Sequence, residues 1–423
     1  MHAIVPGTPP PLTLLSLPND VLHYIVSFLP NVAEVTKLHF VCKRLRELAP
    51  CLNYSQTYRT HLQSFKIHKD ANVNEKYLLA MAAAHGTRLR YLHLLGIEKP
   101  LEYVRHCTNV FELRLENSTL PDADLKTLNT LLPLSQLTAL SLSFTPLDRN
   151  IMTTLSTQNL SRLASINLED CLLDSKALLQ FARLQLPQLE QLNLSRNPLY
   201  VPSMLTMVYP SLTELYLNSC ELGLGGMKSL SLMSLSNLKV LDLQLNAITA
   251  RGMQFLSAMH LPELTSLKVG GNHIGVEGMG TLSQMTILSN LRTFWIGGNK
   301  LGDSGMEIFL QMPLSQLTDL NLGGNNFSAE AIQKFSQKIF SRLEILSLSA
   351  NTISLGIKHL SSMNLTRLAH LYLNSCEIGQ EGIQAIAAMK LPRLQTLNLS
   401  YNPMEGSSEL LDQMRQRGVK VYE

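Results

Sequence analysis

From residue 110 onward the sequence keeps returning to one order of apolar and polar positions, L-x-x-L-x-L-x-x-N-x-I. Its first position falls at Val110, Leu137, Leu163, Leu189, Leu212, Leu238, Leu264, Leu291, Leu317, Leu343, Leu368 and Leu394. The interval is about 26 residues, inside the range that marks stacked structural repeats. A looser copy, LRYLHLLGI, begins at Leu89. In each opening the second and third aliphatic residues alternate with polar ones, as Leu320 and Leu322 do in LNLGGNNF, which predicts a short strand with one face turned inward. The apolar spacing then changes to that of a helix, so that Ile274, Met279, Leu282 and Met285 share one side. A single strand and helix cannot bury both faces. Stacking buries them, at about 1.5–3 kcal/mol per aliphatic side chain before the cost in conformational entropy.

The ninth position of the opening reads Asn at 197, 246, 272, 299, 325, 351 and 402, and Cys at 171, 220 and 376. An asparagine offers donors and an acceptor to backbone groups left unpaired where the strand turns away, and a small thiol replaces it in part. After this position the later units continue IGVEGM, LGDSGM or IGQEGI, where glycine permits positive φ and a short turn into the helix. The earlier segments SFTPLDRN and SRNPLYVPS lack those glycines, and a less regular helical side is expected there. Taken together, the units resemble leucine-rich repeats of the ribonuclease-inhibitor-like and F-box-associated, cysteine-containing kinds, over about three quarters of the chain. The resemblance implies an α/β fold: a right-handed curved solenoid with a parallel sheet inside and helices outside. The repeats are assigned to residues 89–406, and residues 407–423 read as a capping helix, stopped by Gly418, and a final strand.

The beginning of the chain differs. Residues 1–14 are rich in proline and read as a disordered leader. In residues 15–52, Val21, Leu22, Ile25 and Leu29 fall near one helical face that ends at Pro30; Val35, Leu38, Val41, Leu45 and Leu48 follow before Pro50. So small an all-α bundle needs a partner or an adjoining domain to complete its core. The stretch resembles an F-box through Leu17-Pro18, Asp20, Val21-Leu22, Ile25, Phe28-Leu29 and Val41-Cys42-Lys43-Arg44-Leu45. Asp20 stands where Glu is commoner, and Leu45 where Trp is frequent. The resemblance implies that Leu17, Pro18, Asp20, Val21, Leu22, Ile25, Val41 and Leu45 form or support a surface for a Skp-type adaptor and, through it, a cullin. The competing reading is a helical cap on the repeats. Residues 53–88 are read as a helical connector and N-terminal cap, with Gly86 stopping NEKYLLAMAAAHG.

Composition narrows the chemistry. A net charge of +3 points neither to nucleic acid nor to an anionic membrane, and no apolar run is long enough to span a bilayer. The opening MHAIVPGTPPPL lacks a basic segment followed by an apolar core. The cysteines are scattered without a C-x-x-C, which fits a reducing compartment and a cytoplasmic or nuclear location. No H-E-x-x-H or Cys/His cluster suggests a metal, and no cofactor is expected. The segment GLGGMKS faintly resembles a phosphate-binding loop, but Met227 precedes Lys228 where that loop needs glycine. Cys51 and Cys107 are the thiols outside both the ladder and the F-box motif; without an activating base nearby, they read as small buried hydrophobes. The chain is therefore read as a non-catalytic protein.

What remains is surface. The position between the second and third aliphatics faces the concave side and runs Asn167, Asn193, Tyr216, Asp242, Lys268, Trp295, Asn321, Ser347, Tyr372 and Asn398. From this column Tyr216, Lys268, Trp295, Asn321 and Tyr372 are the candidate contacts to a target protein, because Trp and Tyr dominate binding hot spots. Beside Trp295 lie Gly270-Gly271, Gly297-Gly298 and Gly323-Gly324. Either they leave a bare floor next to an exposed indole, or they only ease the turn while Trp295 packs on Lys268. The leading expectation is a substrate-recognition subunit of a Skp-cullin-F-box ubiquitin ligase. The alternatives are a leucine-rich-repeat scaffold or inhibitor, such as a pathogen effector, without ligase assembly, and a cysteine-dependent ligase acting through Cys51 or Cys107.

Overall fold

The computed structural model describes residues 64–68, 79, 82–83 and 86–423, except for 121–127, 129, 131, 148, 200–207 and 404–405. The chain divides into two compact units, residues 1–163 and 164–423. The first contains β1 (Ser64–His68), β2 (Tyr91–Leu95), β3 (Glu112–Glu116) and β4 (Ala139–Ser141), each parallel to the next. The second contains β5 (Ser165–Asn167), β6 (Gln191–Asn193), β7 (Glu214–Tyr216), β8 (Val240–Asp242), β9 (Ser266–Lys268), β10 (Thr293–Trp295), β11 (Asp319–Asn321), β12 (Ile345–Ser347), β13 (His370–Tyr372), β14 (Thr396–Asn398) and β15 (Lys420–Tyr422). These too are parallel and pair strictly in sequence order.

Each strand carries its aliphatic pair into a core shared with the helix that follows. In the repeat that opens at Leu264, Leu264, Leu267, Val269, Met279 and Leu282 are fully buried, and Ile274 is 1% exposed. Helices of successive repeats, such as Ala250–Ser257, Gly275–Leu282 and Gly302–Gln311, pack against one another in chain order. The strands of the repeats therefore end in the same way. The eighth position of the opening takes the left-handed conformation at Asn117, Phe144, Asp170, Arg196, Ser219, Leu245, Gly271, Gly298, Gly324, Ala350, Ser375 and Tyr401, with φ from 48° to 71°. Nine of these twelve positions are not glycine, so the stack imposes the bend against an intrinsic preference.

The ninth position then joins each repeat to the one before. Asn272 accepts hydrogen bonds from the amides of Asn246 (2.8 Å) and Ile248 (3.0 Å) of the preceding repeat. Its amide group donates to the carbonyl of Leu243, also in that repeat (3.0 Å), and to its own repeat at Val269 (2.9 Å). Asn197, Asn351 and Asn402 repeat the scheme. Cys220 donates to the equivalent carbonyl, that of Leu194, at 3.3 Å, as Cys376 does to Leu348. Thr145 does the same in the first unit, bonding Leu115 O at 3.0 Å, although threonine does not advertise the ladder in sequence.

Two expectations change. The segment SFTPLDRN leads into a helix, Arg149–Ser156, and the next repeat has Ser175–Phe181, both without the glycine turn; for SRNPLYVPS the expectation falls on residues 200–207, which lie outside the described residues. Asp174 starts the second of them, accepting from the amide of Ala177 at 2.7 Å, so a side-chain cap does what glycine does later. The glycine turn itself works as expected at Gly275, where φ is +61°, and at Gly278, where a Cβ would lie 2.6 Å from Ile274 Cγ2. The second change lies in the segment read as a helical connector: Ser64–His68 is a strand that pairs with β2 and covers its outer edge. At the far end, helix Ser408–Gln416, Gly418 at φ +87° and β15 follow in the order anticipated.

Candidate protein-binding surface

All five candidate target contacts lie in the second unit, and strand register sets them in one row. Asp242 is partnered with Tyr216 and Lys268, Trp295 with Lys268 and Asn321, and Ser347 with Asn321 and Tyr372. At a strand spacing of about 4.8 Å, Tyr216 and Tyr372 stand roughly 29 Å apart along the sheet. The row is half-buried except at Asp242, which is buried; partial exposure is what the side of a sheet turned away from its helices provides.

Trp295 is neither sealed nor free. Lys268 Nζ lies 3.9 Å from the centre of its ring, and its indole nitrogen donates to Asp319 Oδ1 at 2.9 Å. Burial holds the Asp319 carboxyl above its ordinary range, against the pull of Trp295, Lys268 and His370. Tyr216 donates to Glu214 Oε2 at 2.8 Å, and burial followed by the two nearby carboxylates raises its hydroxyl far above the usual tyrosine value. Lys268, Trp295 and Tyr216 are thus held in place before any ligand arrives, which lowers the ordering cost of binding. The Tyr372 hydroxyl bonds no described residue.

Not every member of the column is idle. Asn167, Asn193, Asn321, Asn398 and Asp242 each accept, through a side-chain oxygen, the amide two residues further on, at 3.0–3.1 Å. These local turns close the strand ends and use one acceptor site of Asn321, whose side-chain NH2 donates to no described residue. The glycine pairs are structural as well. Gly271, Gly298 and Gly324 take φ of 67°, 71° and 64°, and a Cβ on Gly297 would meet the carbonyl oxygen of Gly323 at 2.8 Å. The glycines thus serve the turn and Trp295 packs on Lys268, while the residue remains half-buried rather than sealed.

Among the described residues, Cys107, Cys220 and Cys376 are buried thiols. Burial pushes the Cys107 and Cys220 thiols up to about 12 and the Cys376 thiol to about 11, away from the thiolate a nucleophile requires. Cys51 lies outside the described residues. So do the proposed adaptor contacts Leu17, Pro18, Asp20, Val21, Leu22, Ile25, Val41 and Leu45. Among the described residues no group of His, Cys, Asp or Glu could hold a metal ion, and no helix is long and apolar enough to cross a membrane.

Leucine-rich-repeat family models match residues 210–231, 234–257, 260–283 and 362–387, the same stretches that build β7 to β9 and β13 with their helices. The second unit is a leucine-rich-repeat solenoid. An F-box-like family model matches residues 14–59, so the chain joins an F-box-like segment to leucine-rich repeats. Among solved structures, an internalin (InlF) from Listeria monocytogenes aligns over 94% of this chain and 96% of its own length, at 18% identity and a TM-score of 0.42. A leucine-rich-repeat protein of Leptospira interrogans aligns over 90% and 99%, with the same identity and score. The TLR13–ssRNA13 complex aligns over 82% of this chain at 17% identity and a TM-score of 0.43, and this chain spans 56% of that one. A search of curated proteins found no match.

Proposed function

We propose that the chain is the substrate-recognition subunit of a Skp-cullin-F-box ubiquitin ligase, working in the cytoplasm or nucleus. The observation that carries this reading is the succession of an F-box-like segment and leucine-rich repeats, an arrangement that fits an F-box substrate receptor. The F-box-like segment docks on a Skp-type adaptor and reaches a cullin through it. Tyr216, Lys268, Trp295, Asn321 and Tyr372 hold a target protein on the concave face. Ubiquitin transfer is then accelerated by proximity and orientation, with no catalytic group from this chain.

The docking half is tested by recovery of a Skp-type adaptor from a eukaryotic lysate. The double variant Leu17→Ala, Pro18→Ala is expected to lose it, and undiminished recovery would refute the assigned surface. A tightly held partner with no adaptor at all would favour a scaffold or inhibitor. The target half is tested with Trp295→Ala, which removes an anchor of the kind that contributes about 2 kcal/mol or more, or roughly thirtyfold in affinity. Equal recovery of the bound target by this variant would count against the row.

A further inference from the structure

Four arginines stand at one offset before the last four strands, the last of them at the C-terminal end of helix Ser408–Gln416. Arg342, Arg367, Arg393 and Arg417 each stand three residues before the first residue of β12, β13, β14 and β15. Those first residues are mutual partners: Ile345 with His370, His370 with Thr396, and Thr396 with Lys420. The intervals between the arginines are unequal, and Arg417 precedes the capping strand, whose sequence lacks the repeat opening. Three of the four directly precede the first position of a repeat opening, and strand pairing adds Arg417 to them. The same position holds Arg162 before β5, and Gln188, Ser211, Asn237, Glu263, Asn290 and Gln316 before β6 to β11, none of these six basic.

The column has no structural duty among the described residues. All four side chains are exposed, and none hydrogen-bonds or pairs with a described residue. Of the neighbouring cations, Arg415 is bound to Asp412 and Glu423, Lys338 donates to the carbonyls of Leu310 and Met312 at 2.7 and 2.9 Å, and Lys420 lies over the Tyr422 ring, while Lys390 is exposed and pairs with no described residue. Glu344, two residues beyond Arg342, pairs with none of the four. Like charges stacked at strand spacing repel one another, and an anion laid across them relieves that repulsion.

Geometry selects the anion. The column is roughly 14 Å long at about 4.8 Å per strand, and same-side residues of an extended peptide recur about every 6.8 Å. An extended segment lying along it presents two or three carboxylates or phosphates to guanidinium forks, which bind such groups in a bidentate manner. Single-stranded nucleic acid fits less well. The residues two positions after the arginines are Glu344, Ala369, Gln395 and Val419, which offer no aromatic ring on which bases could stack and place a carboxylate against the phosphates.

We infer that the column Arg342, Arg367, Arg393 and Arg417 docks an extended acidic segment of a partner protein, rich in Asp and Glu or phosphorylated. This goes beyond the adaptor and Trp295 contacts and requires neither. The test titrates the full chain against a fluorescent oligoglutamate peptide of about ten residues, followed by anisotropy at about 50 and about 200 mM salt. Binding is expected, weaker at the higher salt. The quadruple variant Arg342→Gln, Arg367→Gln, Arg393→Gln, Arg417→Gln should weaken it roughly tenfold or more, and Arg367→Gln with Arg393→Gln alone about threefold. A control with the same loss of charge on other exposed residues, Lys176→Gln, Arg183→Gln, Lys228→Gln and Arg251→Gln, should bind as the parent does. The inference fails if the control loses as much, if the parent does not bind the peptide, or if it holds a labelled oligouridine of equal length more tightly.

Discussion

Replacing Asn272 by alanine is expected to destabilise the second unit by about 4 kcal/mol, because each buried polar group left without a partner costs about 1–3 kcal/mol. The substitution strands the amides of Asn246 and Ile248 and removes the donor to Leu243 and Val269 from a site that is 1% exposed. Water cannot compensate without opening the seam between two repeats. Asn272→Cys should fall between the two, since Cys220 shows how a thiol copes: it donates to Leu194 O, and the backbone amides of Asn197 and Arg196 face its sulfur. Urea unfolding followed by circular dichroism measures the ranking. A midpoint for Asn272→Ala no lower than that of the exposed Asn290→Ala would overturn this account of the ladder.

The same asparagines explain why so much of the second unit could be read without coordinates. A repeat whose strand, bend and ladder residue fall at fixed offsets repeats its physics with its letters. Leu264, Leu267, Val269 and Asn272 therefore announce their burial by position alone. What stayed hidden has a common cause too. The left-handed bend at Phe144, Leu245 and Tyr401 has no residue signature, since neighbouring repeats enforce it. β1 was missed because its pairing with β2 is a long-range fact and five residues carry too short a period. Asp174 and Thr145 do the work of glycine and asparagine with different atoms. On the candidate face, the column of residues was legible, but its hydrogen bonds were not: nothing in the letters says that Trp295 finds Asp319 or that Asn321 closes its own strand. Of the arginine column, Arg342, Arg367 and Arg393 were legible as the residue before each repeat opening, whereas Arg417 was not, because its strand lacks the opening and joins the series only by pairing.

These two rows belong to one design logic. Strands buried on one face leave alternate side chains free on the other, and a stack sets those free residues at a constant pitch. A surface with constant pitch recognises extended partners through a few aligned anchors. In such a stack each layer contacts only its neighbours, so a change in the core of one repeat is felt on its own segment of the face.

That locality makes Phe309→Ala the sharpest probe of how core and surface are joined. The ring of Phe309 is fully buried and packs with Phe294, Phe335 and Phe340 at centroid separations of 6.3–6.4 Å. Truncating it removes an aromatic cluster's centre and leaves a cavity, a change that costs about 3–5 kcal/mol. Phe294 is the inward neighbour of Trp295 on β10, so a shift of its ring moves the strand that positions the indole between Lys268 and Asp319. Since Trp295 is the only tryptophan, its fluorescence reports that segment alone. The expected result is a lower unfolding midpoint together with an altered Trp295 emission in the folded state. Leu411→Ala, in the C-terminal helix, should lower stability as well but leave the emission where it was, because its buried side chain lies several repeats away. Emission that responds equally to both variants would show that disturbances spread through the whole unit, and the tie between Phe309 and the row around Trp295 would have to be abandoned.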